Sequence, residues 1–166
     1  MKSLTWIFRA AFTLVVYFLC AGSAFTQKVN TDWDQEAKFS YYKTYAWLES
    51  KHPAQSDVLN RCVVENIEKQ MTAKGFKKVT DAPDVFVVYT AGVKQRVSAG
   101  QGYDPATPSE PTRGTLVIDL VDARTATLVW RGSAMDVLSN NSENNIQKIV
   151  KATAKVFKNY PPQAKK

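Results

Sequence analysis

Residues 114–137 read GTLVIDLVDARTATLVWRGSAMDV, and the fold is decided there. Leu116, Ile118 and Leu120 alternate with Thr115, Val117 and Asp119, the two-residue period of a strand with one buried face. A short polar segment, Asp122 to Thr127, separates that run from a second one, Leu128 to Val137. Two strands joined so closely pair as an antiparallel hairpin. Asp122 is placed to accept from backbone amides of the turn. With Val121 opposite Val129, Asp119 faces Arg131 across the ladder as an opposite-charge pair.

Helical periods lie on either side of the hairpin. Leu59, Cys62, Val63, Ile67, Gln70 and Met71 recur at three- and four-residue spacing, which predicts a helix from Asp57 to about Lys74. Ser56 is its N-cap and Asp57 complements the positive helix end, while Gly75 supplies a left-handed cap and Phe76 folds back on the last turn. C-terminal to the hairpin, Asn140, Asn141 and Ser142 offer caps for a helix from Glu143 to about Lys158. Its inner face is read as Ile146, Ile149, Val150, Thr153 and Phe157, and Pro161-Pro162 stops it.

The remaining strands are shorter. Val29 to Asp34 has a brief alternation, Phe39 to Leu48 is an aromatic-rich turn and strand, and the apolar run Val85 to Tyr89 suits a central strand. Lys94 to Arg113 carries Gly100, Gly102, Pro105, Pro108 and Pro111 and reads as a long loop. The expected fold is an α/β (α+β) two-layer sandwich. A mixed, largely antiparallel sheet of about five strands carries both helices on one face, with at least one crossover connection.

The N-terminus reads as a secretory leader. Lys2 and Arg9 precede an apolar run from Ala10 to Leu19 and the small residues Ala21-Gly22-Ser23-Ala24. Cleavage is expected after Ala24, with Thr26 as the alternative. Cys20 lacks a small residue before it, since Leu19 is bulky, so lipid attachment is disfavoured. The expected organisation is a leader at 1–24, one domain at 25–161 and a disordered tail at 162–166. A chain of this size buries roughly 70% of its unfolded surface and needs no metal or disulfide to fold. Cys62 stands alone once Cys20 is removed, and its place in an apolar helical pattern reads as a core thiol.

The formal charge is +7, falling when Lys2 and Arg9 leave with the leader. The basic residues are spread and not interleaved with aromatics, so no nucleic-acid partner is expected. His52 is the only histidine and lies in a polar loop. With one histidine and one mature cysteine, neither a metal site nor a Ser-His-Asp site is expected. No glycine-rich phosphate loop precedes a helix, so no cofactor is implied.

Six motifs in order resemble one family. They are Thr31-Asp32-Trp33-Asp34; Phe39 with Tyr42-Lys43-Thr44-Tyr45-Ala46-Trp47; Gly75-Phe76; Ala82-Pro83-Asp84; Gly114 to Asp119; and Leu128-Val129-Trp130-Arg131-Gly132. Over about residues 28 to 161 the chain resembles the bacterial envelope family, largely lipoprotein-like, called domain of unknown function 4136. The resemblance implies an extracytoplasmic α/β domain and supplies no catalytic residues.

The function expected is that of an exported, non-enzymatic envelope module that binds a ligand or an envelope protein, or serves a structural role. Aromatic side chains with a polar edge suit such contacts, and the candidates are Trp33, Tyr42, Tyr45, Trp47 and Trp130, with the Lys94–Arg113 loop as a lid. A lysine stripe, Lys148, Lys151, Lys155 and Lys158, offers peripheral contact with an anionic membrane surface. The alternative is a hydrolase acting on envelope polymers through paired carboxylates, Asp32 with Asp34 or Asp119 with Asp122.

Overall fold

The computed structural model describes residues 27–54, 56–94 and 112–162. The leader, the segment 95–111 that would carry the lid, and the tail beyond Pro162 lie outside the described residues. Along the chain come β1 (Lys28–Trp33), a 3-10 turn (Phe39–Tyr41), β2 (Thr44–Trp47), α1 (Asp57–Ala73), β3 (Lys77–Lys78), β4 (Val85–Lys94), β5 (Arg113–Asp122), β6 (Leu128–Val137) and α2 (Ser142–Phe157).

The strands form one sheet in the order β1-β6-β5-β4-β2-β3. β2 runs parallel to both β3 and β4, and every other pairing is antiparallel. The connection from β2 through α1 to its parallel neighbours is the crossover that parallel pairing requires. Six strands form, one more than expected, because Gly75 and Phe76 return the chain alongside β2. There Lys77 N–H donates to Lys43 O and Val79 N–H to Tyr45 O at 2.8 and 2.9 Å.

The hairpin register differs from the expectation by one residue at its turn end. Asp119 lies opposite Arg131 as read from the sequence, but Val121 pairs with Leu128, with a bulge that leaves Val129 unpaired. Arg131 grips both Asp119 oxygens, Nε to Oδ1 at 2.7 Å and Nη2 to Oδ2 at 2.6 Å.

Helix α1 starts where the sequence placed it, and α2 starts one residue earlier than expected, at Ser142. Ser56 Oγ accepts from Leu59 N–H at 3.3 Å, and Asn141 Oδ1 accepts from Glu143 and Asn144 amides. Gly75 adopts φ +88°, the left-handed cap that a side chain would strain. On α2 the buried stripe is Ala152, Thr153, Val156 and Phe157, while Val150 faces solvent, so the inner face is rotated from the expected one.

Helix α2 comes close to β6 at Gly132. A Cβ there would lie 2.3 Å from Val156 Cγ1 and 2.5 Å from the Trp130 ring. The missing side chain lets Trp130 lie against Phe157 with centroids 5.2 Å apart, and Tyr160 closes the group at 5.4 Å from Trp130. Phe39 and Phe76 also meet the Tyr160 ring, each at 5.8 Å. Edge-to-face and tilted ring pairs of this kind add about 0.5–1.5 kcal/mol each beyond burial.

Gly132→Ala should therefore lower unfolding free energy by about 1–3 kcal/mol through overpacking. Gly92, whose Cβ would meet nothing within 4 Å, serves as control, and Gly92→Ala should stay within about 0.5 kcal/mol of wild type. Urea titration of both variants checks this, and equal effects would contradict the close-approach explanation.

Candidate functional site

The inner face of the sheet is built in cross-strand rows whose side chains shrink toward one end. Through the middle run Trp47, Val87, Leu120, Trp130 and Trp33, each in register with the next. One inward row further along holds Tyr89, Ile118, Gly132 and Thr31. The next is Ala91, Leu116, Ala134 and Val29, followed by Val93, Gly114 and Asp136. Alanines and glycines leave the sheet shallow there.

Neither helix fills the deficit. Leu59 near the start of α1 and Ile149 and Ala152 in α2 face the shallow rows across an apolar cavity of about 220 Å³. Leu138, after β6, lies against Gly114. The wall is mostly hydrocarbon, with Gln27, Asp136, Asn145 and Lys148 gathered to one side.

That polar side is nearly all self-satisfied. Asn145 Nδ2 donates to Ser139 O and accepts Ser139 N–H at Oδ1, both at 2.8 Å. Lys148 Nζ donates to Val137 O. Gln27, immediately before β1 and only 9% exposed, donates from Nε2 to Asp136 Oδ2 and to Lys148 O, each at 3.3 Å. Its Oε1 is buried without a hydrogen-bond partner among the described residues. An orphaned acceptor of this kind costs about 1–3 kcal/mol.

The aromatic candidates lie elsewhere. Tyr45 and Trp130 are 2% and 1% exposed and hold the core together, because a ring sealed from solvent has no face to offer a ligand. Trp33 is half-buried against the same core. Trp47 is pinned by Nε1 to Glu68 Oε1 at 2.8 Å, an oxygen that also accepts from Lys78 Nζ at 2.6 Å. Tyr42 donates its hydroxyl to Asp122 Oδ2 at 2.9 Å, and burial followed by that hydrogen bond pushes its pKa up to about 12.

The paired acids are likewise occupied. Asp34 Oδ1 accepts Glu36 N–H at 2.8 Å, and Asp32 Oδ1 accepts Trp33 N–H at 3.0 Å. Asp32 and Asp119 flank Arg131 in register. Asp122 is only 4% exposed and holds the hairpin turn through Arg124 and Thr125 amides at 2.8 and 3.0 Å. Among the described residues no three His, Cys, Asp or Glu side chains gather to hold a metal. Cys62 is half-buried, and burial pushes its thiol up, away from the reactive thiolate. The lysine stripe loses Lys148 to its bond with Val137 O, which leaves Lys151, Lys155 and Lys158 exposed.

Residues 29–162 match the family model described as Domain of unknown function (DUF4136). The chain belongs to that family. Its fold is similar to a PDZ domain protein from Parabacteroides distasonis, with a TM-score of 0.61 and 16% identity over 83% of this chain and 37% of that one. This DUF4136 chain thus spans little more than a third of that protein's length. It is also similar to the PelC dodecamer from Paraburkholderia phytofirmans, with a TM-score of 0.52 and 11% identity over 85% of this chain and 100% of that one. At such identities the likeness is one of fold. No curated protein sequence matches.

Two of the motifs singled out in the sequence, Tyr42 to Trp47 and Ala82 to Asp84, are joined by one carboxylate. Asp84 Oδ2 accepts Lys43 N–H, Thr44 N–H and Thr44 Oγ1–H at 2.8, 2.8 and 2.9 Å, and Asp84 N–H donates back to Thr44 Oγ1 at 2.9 Å. The amide of Lys43, with the amide and hydroxyl of Thr44, holds the Asp84 carboxyl below the usual carboxylate range against the opposing effect of burial. Burial alone would push Asp122 up, but its amide and Tyr42 hydrogen bonds outweigh that and hold it low too.

Groups lowered in the folded state stabilise it fully above their unfolded pKa of roughly 3.9, and that contribution fades as pH falls through the lower folded values. Stability should therefore drop below about pH 4. Asp84→Asn should cost about 1.5–3 kcal/mol at neutral pH, with the gap to wild type closing in acid. Denaturant midpoints measured down the pH series check this, and a gap that persists unchanged at low pH would contradict it.

Proposed function

We propose that this DUF4136 chain is an exported, non-catalytic module of the bacterial envelope that works by holding a small apolar ligand between its sheet and its two helices. The apolar cavity at the small-residue end of the sandwich carries the reading. Ligand sites are concave, mostly apolar and marked by a few convergent polar groups, and Gln27, Asp136, Asn145 and Lys148 supply that polar side here. The volume of about 220 Å³ is small for a drug-like molecule but ample for a ring, since an apolar cavity of about 150 Å³ takes up benzene.

Two further observations support the reading. The carboxylates that would serve a hydrolase are engaged in turns and cross-strand pairs, and Asp122 is held below the usual carboxylate range, whereas a general acid needs a raised value. The basic, apolar and small-residue succession of residues 1–24 supports export. Among the described residues no helix is long and apolar enough to cross a membrane.

Chain recovered from a periplasmic extract should begin at Phe25. Titrated with toluene, it should show saturable NMR shifts at the Leu59, Leu116 and Ile149 methyls. Ala134→Leu should fill the space, keep the fold and abolish the response. Unprocessed chain found in the cytosol, or methyl signals indifferent to toluene, would reject the proposal.

A further inference from the structure

The polar side of the cavity carries two opposite charges. Asp136, near the end of β6, and Lys148, in the second turn of α2, both line the cavity, and both side chains stay part-exposed. Their hydrogen bonds go to neutral groups. Asp136 accepts from the Val137 amide at 2.7 Å and from Gln27 Nε2 at 3.3 Å, and Lys148 Nζ donates to Val137 O. Among the described residues no ion pair joins either one to an opposite charge. Both charges therefore persist beside a wall of hydrocarbon. Each keeps capacity for a ligand, since a carboxylate accepts several bonds and the ammonium has two N–H groups left.

One residue sets their spacing. The carboxylate sits on the N–H of Val137 and the ammonium on its C=O, the peptide counterparts of an α-ammonium and an α-carboxylate. Resting on the cavity reading above, we infer that the apolar group held there is the side chain of a free α-amino acid. The ligand's ammonium pairs with Asp136 and its carboxylate with Lys148, while its side chain lies among Leu59, Ala91, Ala134 and Ile149. Two opposite charges on one residue's backbone disfavour a singly charged head. A lone carboxylate drawn to Lys148 meets Asp136, and a lone ammonium drawn to Asp136 meets Lys148. A zwitterion matches both. The size follows from the volume of about 220 Å³, which suits a side chain of about the bulk of one ring or a short branched chain, such as that of phenylalanine or leucine.

Leucine and two analogues test the pair of charges. 3-Methylbutylamine lacks the carboxylate and 4-methylpentanoate lacks the ammonium, with the branched chain unchanged. NMR titration of the purified chain should give leucine a Kd about fivefold or more below that of either analogue, the ratio that one net polar contact supplies. Lys148→Met should erase the advantage over the amine, and Asp136→Asn the advantage over the acid. Both variants should keep the toluene response, which reports an intact cavity. An analogue that binds the wild-type chain as tightly as leucine would overturn the amino-acid assignment while leaving the cavity reading intact. So would leucine without effect where toluene still shifts the cavity methyls. Methyls indifferent to toluene and leucine alike would remove the cavity reading itself. An advantage that survives both substitutions would overturn the assignment to Asp136 and Lys148.

Discussion

The close approach of α2 to β6 over Gly132 is the contact on which the rest of the sandwich depends. Any side chain there would meet Val156 and the Trp130 ring well inside van der Waals distance. With none, the helix settles onto the sheet, Trp130 lies under Phe157, and Tyr160 becomes the ring that Phe39, Phe76, Trp130 and Phe157 all touch. The 3-10 turn before β2, the chain leading into β3, strand β6 and helix α2 are thereby tied into one core. The polar staples are arranged around this packing. Asp84 fixes the entry to β2, and Asp122 fixes both the hairpin turn and the Tyr42 hydroxyl.

The same helix position explains the cavity. Once α2 is seated at Gly132, its N-terminal half passes over alanine and glycine rows that are too small to reach it. Protein interiors are otherwise packed like organic crystals, so an apolar gap of this size, with a buried amide oxygen left unpaired at its edge, is a place where folding stability is given up. Such places are where binding sites are found. The aromatic-rich end gives cohesion, and the small-residue end gives a site.

Much of the architecture was legible in the sequence because it rests on periodicity. The alternation of Leu116, Ile118 and Leu120 and the spacing of Val63, Ile67 and Met71 each come from a single segment and specify one element. What escaped depends on how segments meet. β3 is two residues long, too short to show any period, and forms only because Gly75 sends the chain back along β2. The bulge at Val129 leaves no glycine signature. The inner face of α2 is shifted because Val156 seats against β6 at Gly132, which turns Val150 out to solvent. Aromatic enrichment suggested a binding surface, yet rings serve cores equally well, and Tyr45 and Trp130 went to the core. Gln27, Ala91, Ala134 and Leu59 are ordinary residues in sequence. Ala91, Gly114 and Ala134 at inward strand positions were the one signal available, and it becomes readable only once the register puts them side by side.

The small-residue end of the sandwich holds an apolar space of about 220 Å³. Diffraction from crystals of the ligand-free chain pressurised with xenon tests it most directly. Xenon density in contact with Leu59, Ala91, Ala134 and Ile149 is the result predicted. Side chains collapsed into that volume, with no xenon bound there, would contradict it.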